Sequence, residues 1–187
     1  IGEIKQDYDK AFRWYENAAD LDGVMGYAGL ARCYYEGNGT GKDFVKAKDF
    51  ALKAAEYESA DALLLLGDIT AQDVGKGMPW ELAEDSISFY AEVNDGYEST
   101  GYTTIGKCPS DETAKKAFDY YRRAKEAGSE EAAMRLAYCY MTGFGNEVKR
   151  SYAANEFEAL TVGGNQEAQK MLNACSMLAN GADYDNI

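Results

Sequence analysis

The chain has 187 residues, 46% of them hydrophobic, enough for one sizeable domain or a stack of small units. Its net charge of −13 disfavours nucleic acid and anionic membranes as partners, and the absence of histidine removes the usual general base, the His-containing triads and the commonest zinc ligand. No apolar run approaches the roughly 18 residues of a membrane span, so no membrane insertion is expected.

With only two prolines and abundant Ala, Leu, Glu, Lys and Tyr, the sequence favours helices throughout. Ile4-Lys5-Gln6-Asp7 precedes Tyr8-Asp9-Lys10-Ala11 much as a linker would, so the chain reads as a segment of a longer repeat protein. Taking Ala11 as an anchor, equivalent alanines follow at Ala47, Ala83, Ala117 and Ala153, spaced 36, 36, 34 and 36 residues apart. Seven residues after the anchors stand Ala18, Ala54, Tyr90, Ala124 and Leu160. Turns are predicted at Asp22-Gly23, Glu58-Ser59, Asn94 to Gly96, Gly128 and Gly163-Gly164. Second helices then place Leu30, Leu66, Leu136 and Leu172 in one register, which defines five helix pairs at about 8–43, 44–78, 79–110, 111–147 and 148–183.

The third unit is the weakest copy. Met78-Pro79-Trp80 opens it, with proline tolerated in a first helical turn. Its second half, Tyr97 to Gly106, is rich in Thr and Gly, so a short or irregular helix is expected there. Between Gly77 and Gly106 lie six acidic residues and no Lys or Arg. A solvated acidic face is the expectation, with a cation or basic-peptide site as the competing reading. The tail from Asn180 is expected to fray.

Cys33, Cys139 and Cys175 each fall three residues after the register leucine, where the second copy has Ile69. Each is therefore read as a small core hydrophobe; Cys108 lies outside that register. With no CxxC spacing, neither zinc nor a disulfide scaffold is indicated, and a reducing, intracellular compartment is weakly favoured. The Gly37–Asp43 segment glances at a phosphate loop. Glu36 stands where the first glycine belongs, and Asp43 replaces the Ser or Thr after the lysine, so it is read as an inter-repeat turn. Asn38-Gly39-Thr40 is a formal glycosylation sequon without a secretory signal beside it. There is no Gly-x-Ser-x-Gly elbow, and no two carboxylates are tied to a common pocket. Neither an enzyme nor a cofactor is expected.

Tyr8-Asp9-Lys10-Ala11, Trp14-Tyr15, Ala18-Ala19, Leu30-Ala31, Tyr34, Gly37 and Gly39 together resemble a Sel1-like repeat. So do Ala117, Tyr120-Tyr121, Ala124, Gly128, Ala132, Leu136-Ala137, Tyr140, Gly143 and Gly145. The resemblance implies an all-α fold, a right-handed α/α superhelix related to tetratricopeptide arrays, and an adaptor that holds a protein or peptide partner. The disulfide-linked branch of that family has two cysteines per repeat, which this chain lacks. In related helical-hairpin arrays the first helices line the concave groove, so residues one and five after each anchor are the candidate contacts. Those carried forward are Phe12, Glu16, Lys48, Glu84, Phe118 and Arg122. The competing reading packs Phe12 and Phe118 between repeats. Tyr15, Tyr121 and the register leucines are expected in the core. An alternative function is a regulatory module of an enzyme encoded elsewhere in a longer chain.

Overall fold

The structure, a computed structural model, describes residues 7–75, 77–81, 83 and 111–182, with side chains as far as Ser176. Within them lie eight helices, in four pairs. These are α1 (Tyr8–Asp20) with α2 (Val24–Glu36), and α3 (Phe44–Ala55) with α4 (Ala60–Asp73). They continue with α5 (Glu112–Glu126) and α6 (Glu130–Thr142), then α7 (Arg150–Val162) and α8 (Gln166–Ala182). Pro79–Glu81 is a further short helical stretch.

The helix starts are written in the sequence as caps. Asp7, Asp43 and Asp111 each accept a hydrogen bond from the backbone N–H three residues on, and the Ser129 hydroxyl does the same for α6. Each pair turns on one left-handed residue at the same register position: Asp22, Glu58, Gly128 and Gly164. Glycine is thus dispensable there at a cost, since a side chain in the left-handed region is disfavoured by about 1–2 kcal/mol. Glu58 takes the conformation of the glycine it replaces. It also reaches Arg123 of α5 at 2.7 Å.

The Gly-x-Gly loops are latches. Gly37 and Gly143 end α2 and α6 in the left-handed conformation, donating to the carbonyls of Cys33 and Cys139. Two residues on, Gly39 lies so close to α1 that a Cβ there would stand 2.3 Å from the Tyr8 carbonyl oxygen. At Gly145 the same atom would be 2.2 Å from that of Ala114. Only glycine fits either place.

Each second helix packs against the first helix of the next described pair: α2 on α3, α4 on α5 and α6 on α7. The described stack therefore passes straight from α4 to α5. The anchor spacing predicts a further pair at 79–110, and α4 and α5 pack directly on one another. Residues 84–110, with the expected second helix, Cys108 and most of the acidic run, lie outside the described residues. Of that copy, Met78 and Ala83 are buried, and Trp80 packs against both halves of the core.

The core is alanine-rich at the helix crossings, which lets backbones approach closely, and large only where rings fill the gaps. Ala47, Ala51, Ala117, Ala124 and Ala153 are fully buried, as are Tyr121, Tyr138, Phe144 and Phe157. Leu30, Leu66 and Leu136 are buried as expected, and so are Cys33, Cys139 and Cys175, all as thiols outside a disulfide. Burial pushes the Cys33 thiol up and that of Cys175 to about 11, so both stay protonated and act as small hydrophobes.

Three expectations are corrected. Tyr15 is half-buried rather than core, because among the described residues no second helix stands before α1 as α4 stands before α5. Leu172 is also only partly buried, lying on the last described helix. That helix continues to Ala182, past the Asn180 at which fraying was expected; residues 183–187 lie outside the described residues.

Candidate interaction surface

The predicted contact residues sit on first helices, but with different degrees of freedom. Phe12 and Phe118 are half-buried and occupy matching places. Each meets the tyrosine of its own second helix edge-on, Phe12 with Tyr34 and Phe118 with Tyr140, both at 5.5 Å between ring centres. Part of each ring is therefore used in packing under the glycine latch, whose Cα hydrogens face Phe12 and Phe118. Glu16 is exposed. Lys48 reaches Asp73 of α4 at 3.4 Å, and Arg122 bridges Asp119 and Glu126 on its own helix at 2.6 and 2.7 Å. Such exposed pairs hold side chains loosely and contribute about 0–1 kcal/mol. Glu84 lies outside the described residues. The structure thus repeats the Phe12 environment at Phe118, one stack position apart from α3, without joining all the predicted residues into one site.

Sequence reasoning missed an aromatic seam beside them. Tyr34 stacks on Phe50 at 5.7 Å and Phe50 on Tyr27 at 6.4 Å, so the seam runs from α2 onto α3. Lys46 lies over Tyr34 at 5.1 Å, while Lys53 lies over Tyr27 and Phe50 at 5.4 and 5.5 Å. Each is within cation–π range. A second seam continues from Tyr140 to Tyr152 at 5.6 Å, with Lys149 over the latter. Its signal was available: Tyr34 and Tyr140 share one register position, four residues after the register leucine.

The joint between α4 and α5 carries a largely buried polar cluster. The Tyr121 hydroxyl donates to Asp68 Oδ1 at 2.9 Å, and Arg135 Nε approaches the same oxygen at 3.4 Å. Arg135 also pairs with Glu131 at 2.9 Å and lies 3.9 Å over the Trp80 ring. Burial raises the Asp68 carboxyl above its ordinary range, opposed by Arg135 and by the Tyr121 hydroxyl. Tyr121 is pushed well above its ordinary value, first by burial and then by the Asp68 charge. This cluster is a structural tie: its carboxylate already holds a donor and a cation. Among the described residues no group of His, Cys, Asp and Glu is placed to hold a metal ion, and no helix is long and apolar enough to cross a membrane.

Helix pairs closed by a left-handed turn, latched by Gly-x-Gly and stacked second helix to first helix define an α/α solenoid. The chain belongs to the Sel1 repeat family, whose model matches residues 1–23, 24–56, 101–129 and 130–154, more than half its length. It is similar to an uncharacterized Sel1-like repeat-containing protein of Schizosaccharomyces pombe, 24% identical over 156 residues, covering 74% of this chain and 23% of that protein. The chain therefore spans about a quarter of the length of the curated relative it matches. The crystal structure of a Sel1 repeat protein from Oxalobacter formigenes is similar in fold, with a TM-score of 0.58 at 22% identity over 98% of this chain and 68% of that one. A protective antigen of uropathogenic Escherichia coli strains with an SLR fold is 21% identical over 90% of this chain and 44% of its own, with a TM-score of 0.35. Sel1 repeat proteins generally mediate protein–protein interactions and are typically non-catalytic scaffolds.

Proposed function

We propose that this chain is a non-enzymatic scaffold that binds a protein or peptide partner along its first helices, with Phe12, Glu16, Lys48, Glu84, Phe118 and Arg122 among the contacts. The observation that carries the reading is the mixed surface on a fixed frame. Half-buried rings at Phe12 and Phe118 are set beside exposed Glu16 and Arg122, on helices held by the glycine latches and by packing against neighbouring helices. A frame ordered before binding loses little conformational freedom when a partner arrives. The acidic net charge makes nucleic acid an unsuitable partner in this reading.

The test is a peptide display library panned against the immobilised chain, with selected peptides then measured by calorimetry. Charge reversal at Arg122 and Lys48 (R122E/K48E) touches only exposed pairs, so the melting temperature is expected to hold. Affinity for the selected peptides is expected to fall roughly tenfold or more, in the range for interface residues costing over about 1 kcal/mol. Peptides that bind the doubly reversed chain as tightly as the original would place the contact surface elsewhere.

A further inference from the structure

Tyr34, Lys46, Asp49, Phe50, Leu52 and Lys53 line an open groove of about 460 Å³ where α2 meets α3. Lys46, Asp49, Phe50 and Lys53 follow one another at three- and four-residue steps, so they share one face of α3. The apolar part of the groove is partly uncovered: Leu52 is 43% exposed, and Tyr34 and Phe50 are half-buried. Two lysines stand against one carboxylate in it, although acidic residues outnumber basic ones 32 to 19 in the whole chain. The groove is a cationic place on an acidic molecule.

Its lysines are also the less neutralised ones. Lys48, Arg122 and Lys125 are each matched by a carboxylate of this chain. Lys46 reaches Asp43 only at 3.8 Å, and Lys53 forms no ion pair among the described residues. Both lie over aromatic rings instead, Lys46 on Tyr34 and Lys53 on Tyr27 and Phe50. A ring holds an ammonium group in place without cancelling its charge. A carboxylate arriving from outside therefore meets positioned cations, with no internal ion pair to break at Lys53.

The second seam makes the complementary pair within the chain. In the register positions of Lys46, Phe50 and Lys53 it has Tyr152, Glu156 and Ala159. Glu156 pairs there with Lys125 beside Tyr140, the register partner of Tyr34, and its side chain is only 19% exposed. The frame thus accepts a lysine–carboxylate pair next to this tyrosine. At α7 the chain supplies both halves; at α3 the carboxylate position is taken by the Phe50 ring, and lysines flank it.

We propose that the α2–α3 groove is a subsite for an acidic peptide segment, whose carboxylates pair with Lys53 and Lys46 and whose aliphatic side chain lies on Phe50 and Leu52. This rests on the scaffold reading above and narrows it to one partner chemistry. Single-stranded nucleic acid also favours rings and lysines, but Lys46 and Lys53 lie over the rings on which its bases would stack. The net charge of −13 repels a phosphate backbone as well.

The experiment pans the immobilised chain with three peptide display pools of equal apolar content, one acidic, one neutral and one basic. Binders are expected chiefly from the acidic pool. Their affinity, read by fluorescence anisotropy, is expected to fall about tenfold or more with K46E/K53E. K116E/K170E reverses the same charge on exposed lysines elsewhere and is expected to change it less than about twofold. Should K46E/K53E lower the melting temperature, K46Q/K53Q carries the comparison, with a loss of about threefold or more expected. Binders from the neutral or basic pool alone overturn the acidic subsite and leave the scaffold reading standing; no binders from any pool overturn both. Equal losses in K46E/K53E and K116E/K170E overturn the subsite in favour of a general charge effect. An oligouridylate that displaces the acidic peptides and loses affinity with K46E/K53E overturns it in favour of nucleic acid.

Discussion

Replacing Tyr121 with phenylalanine removes one oxygen and leaves the ring against Gly67. Any loss of stability then measures the hydroxyl's bond to Asp68, 2.9 Å away across the α4–α5 joint. The Asp68 side chain is only 17% exposed, so solvent does not readily replace the lost donor. A hydrogen bond to a charged group is worth about 1.5–3 kcal/mol. Arg135 remains 3.4 Å from the same oxygen and compensates in part, which places the expected loss near the lower bound, about 1.5–2 kcal/mol. For a chain of this size that is roughly 3–8 °C in melting temperature. Thermal and urea melts followed by far-ultraviolet circular dichroism measure it, and Asp68→Ala closes a double-mutant cycle. A coupling of about 1 kcal/mol or more is expected between the two sites. A coupling indistinguishable from zero would show that Tyr121 acts through its ring alone.

Asp68→Asn tests the charge by pH. Burial raises the folded-state value of Asp68 above the ordinary 3.8, so the folded chain holds this proton more tightly than the unfolded chain. The stability it contributes is full below pH 3.8 and is lost as pH rises through the raised value. The substitution is expected to flatten that decline in denaturant midpoints between acid and neutral pH, and an unchanged slope would refute the assignment. Gly145→Ala is expected to cost about 2–5 kcal/mol, from left-handed strain plus forced repacking at the Ala114 carbonyl. Gly75→Ala has the same sign of φ but open space around it, so about 1–2 kcal/mol is expected; equal losses in chemical melts would refute the latch. Glu58→Gly relieves a left-handed side chain and gives up an exposed pair with Arg123, and a net gain of up to about 1 kcal/mol is expected. A loss of that size would mean the ion pair outweighs the strain.

Much of the fold was legible because repetition multiplies weak signals. One alanine at a helix crossing says little, but alanines at 36-residue intervals, each followed by a register leucine, specify a unit and its buried side. The cysteines were readable for the same reason. The α4–α5 junction was not, because periodicity gives the unit and not its neighbour. Ala83 fits the anchor series as well as Ala117 does, and nothing local says which first helix α4 will receive. The signal lay in complementarity instead: Gly67 lies against the Tyr121 ring more closely than a Cβ would allow. Asp68 and Arg135 are 67 residues apart and joined only by that packing. The candidate surface was legible in kind, since Phe12 and Phe118 do repeat one another. The cation–π seam was missed because lysines in an acidic chain read as solvated charge until the rings beneath them are in view.

The glycine latches have a consequence for how this molecule comes apart. Gly39 presses on the start of α1 and Gly145 on the start of α5, so each loop is closed onto its own pair before any neighbour is added. The cooperative unit is therefore a pair with its loop, a closed ring of contacts rather than an open hairpin. Amide exchange should proceed in blocks of that size, with protection in α1–α2 lost together and not helix by helix. A chain built of self-closed links can lose its end link and leave the next one sealed, which lets a long array shed and recover its ends without unravelling.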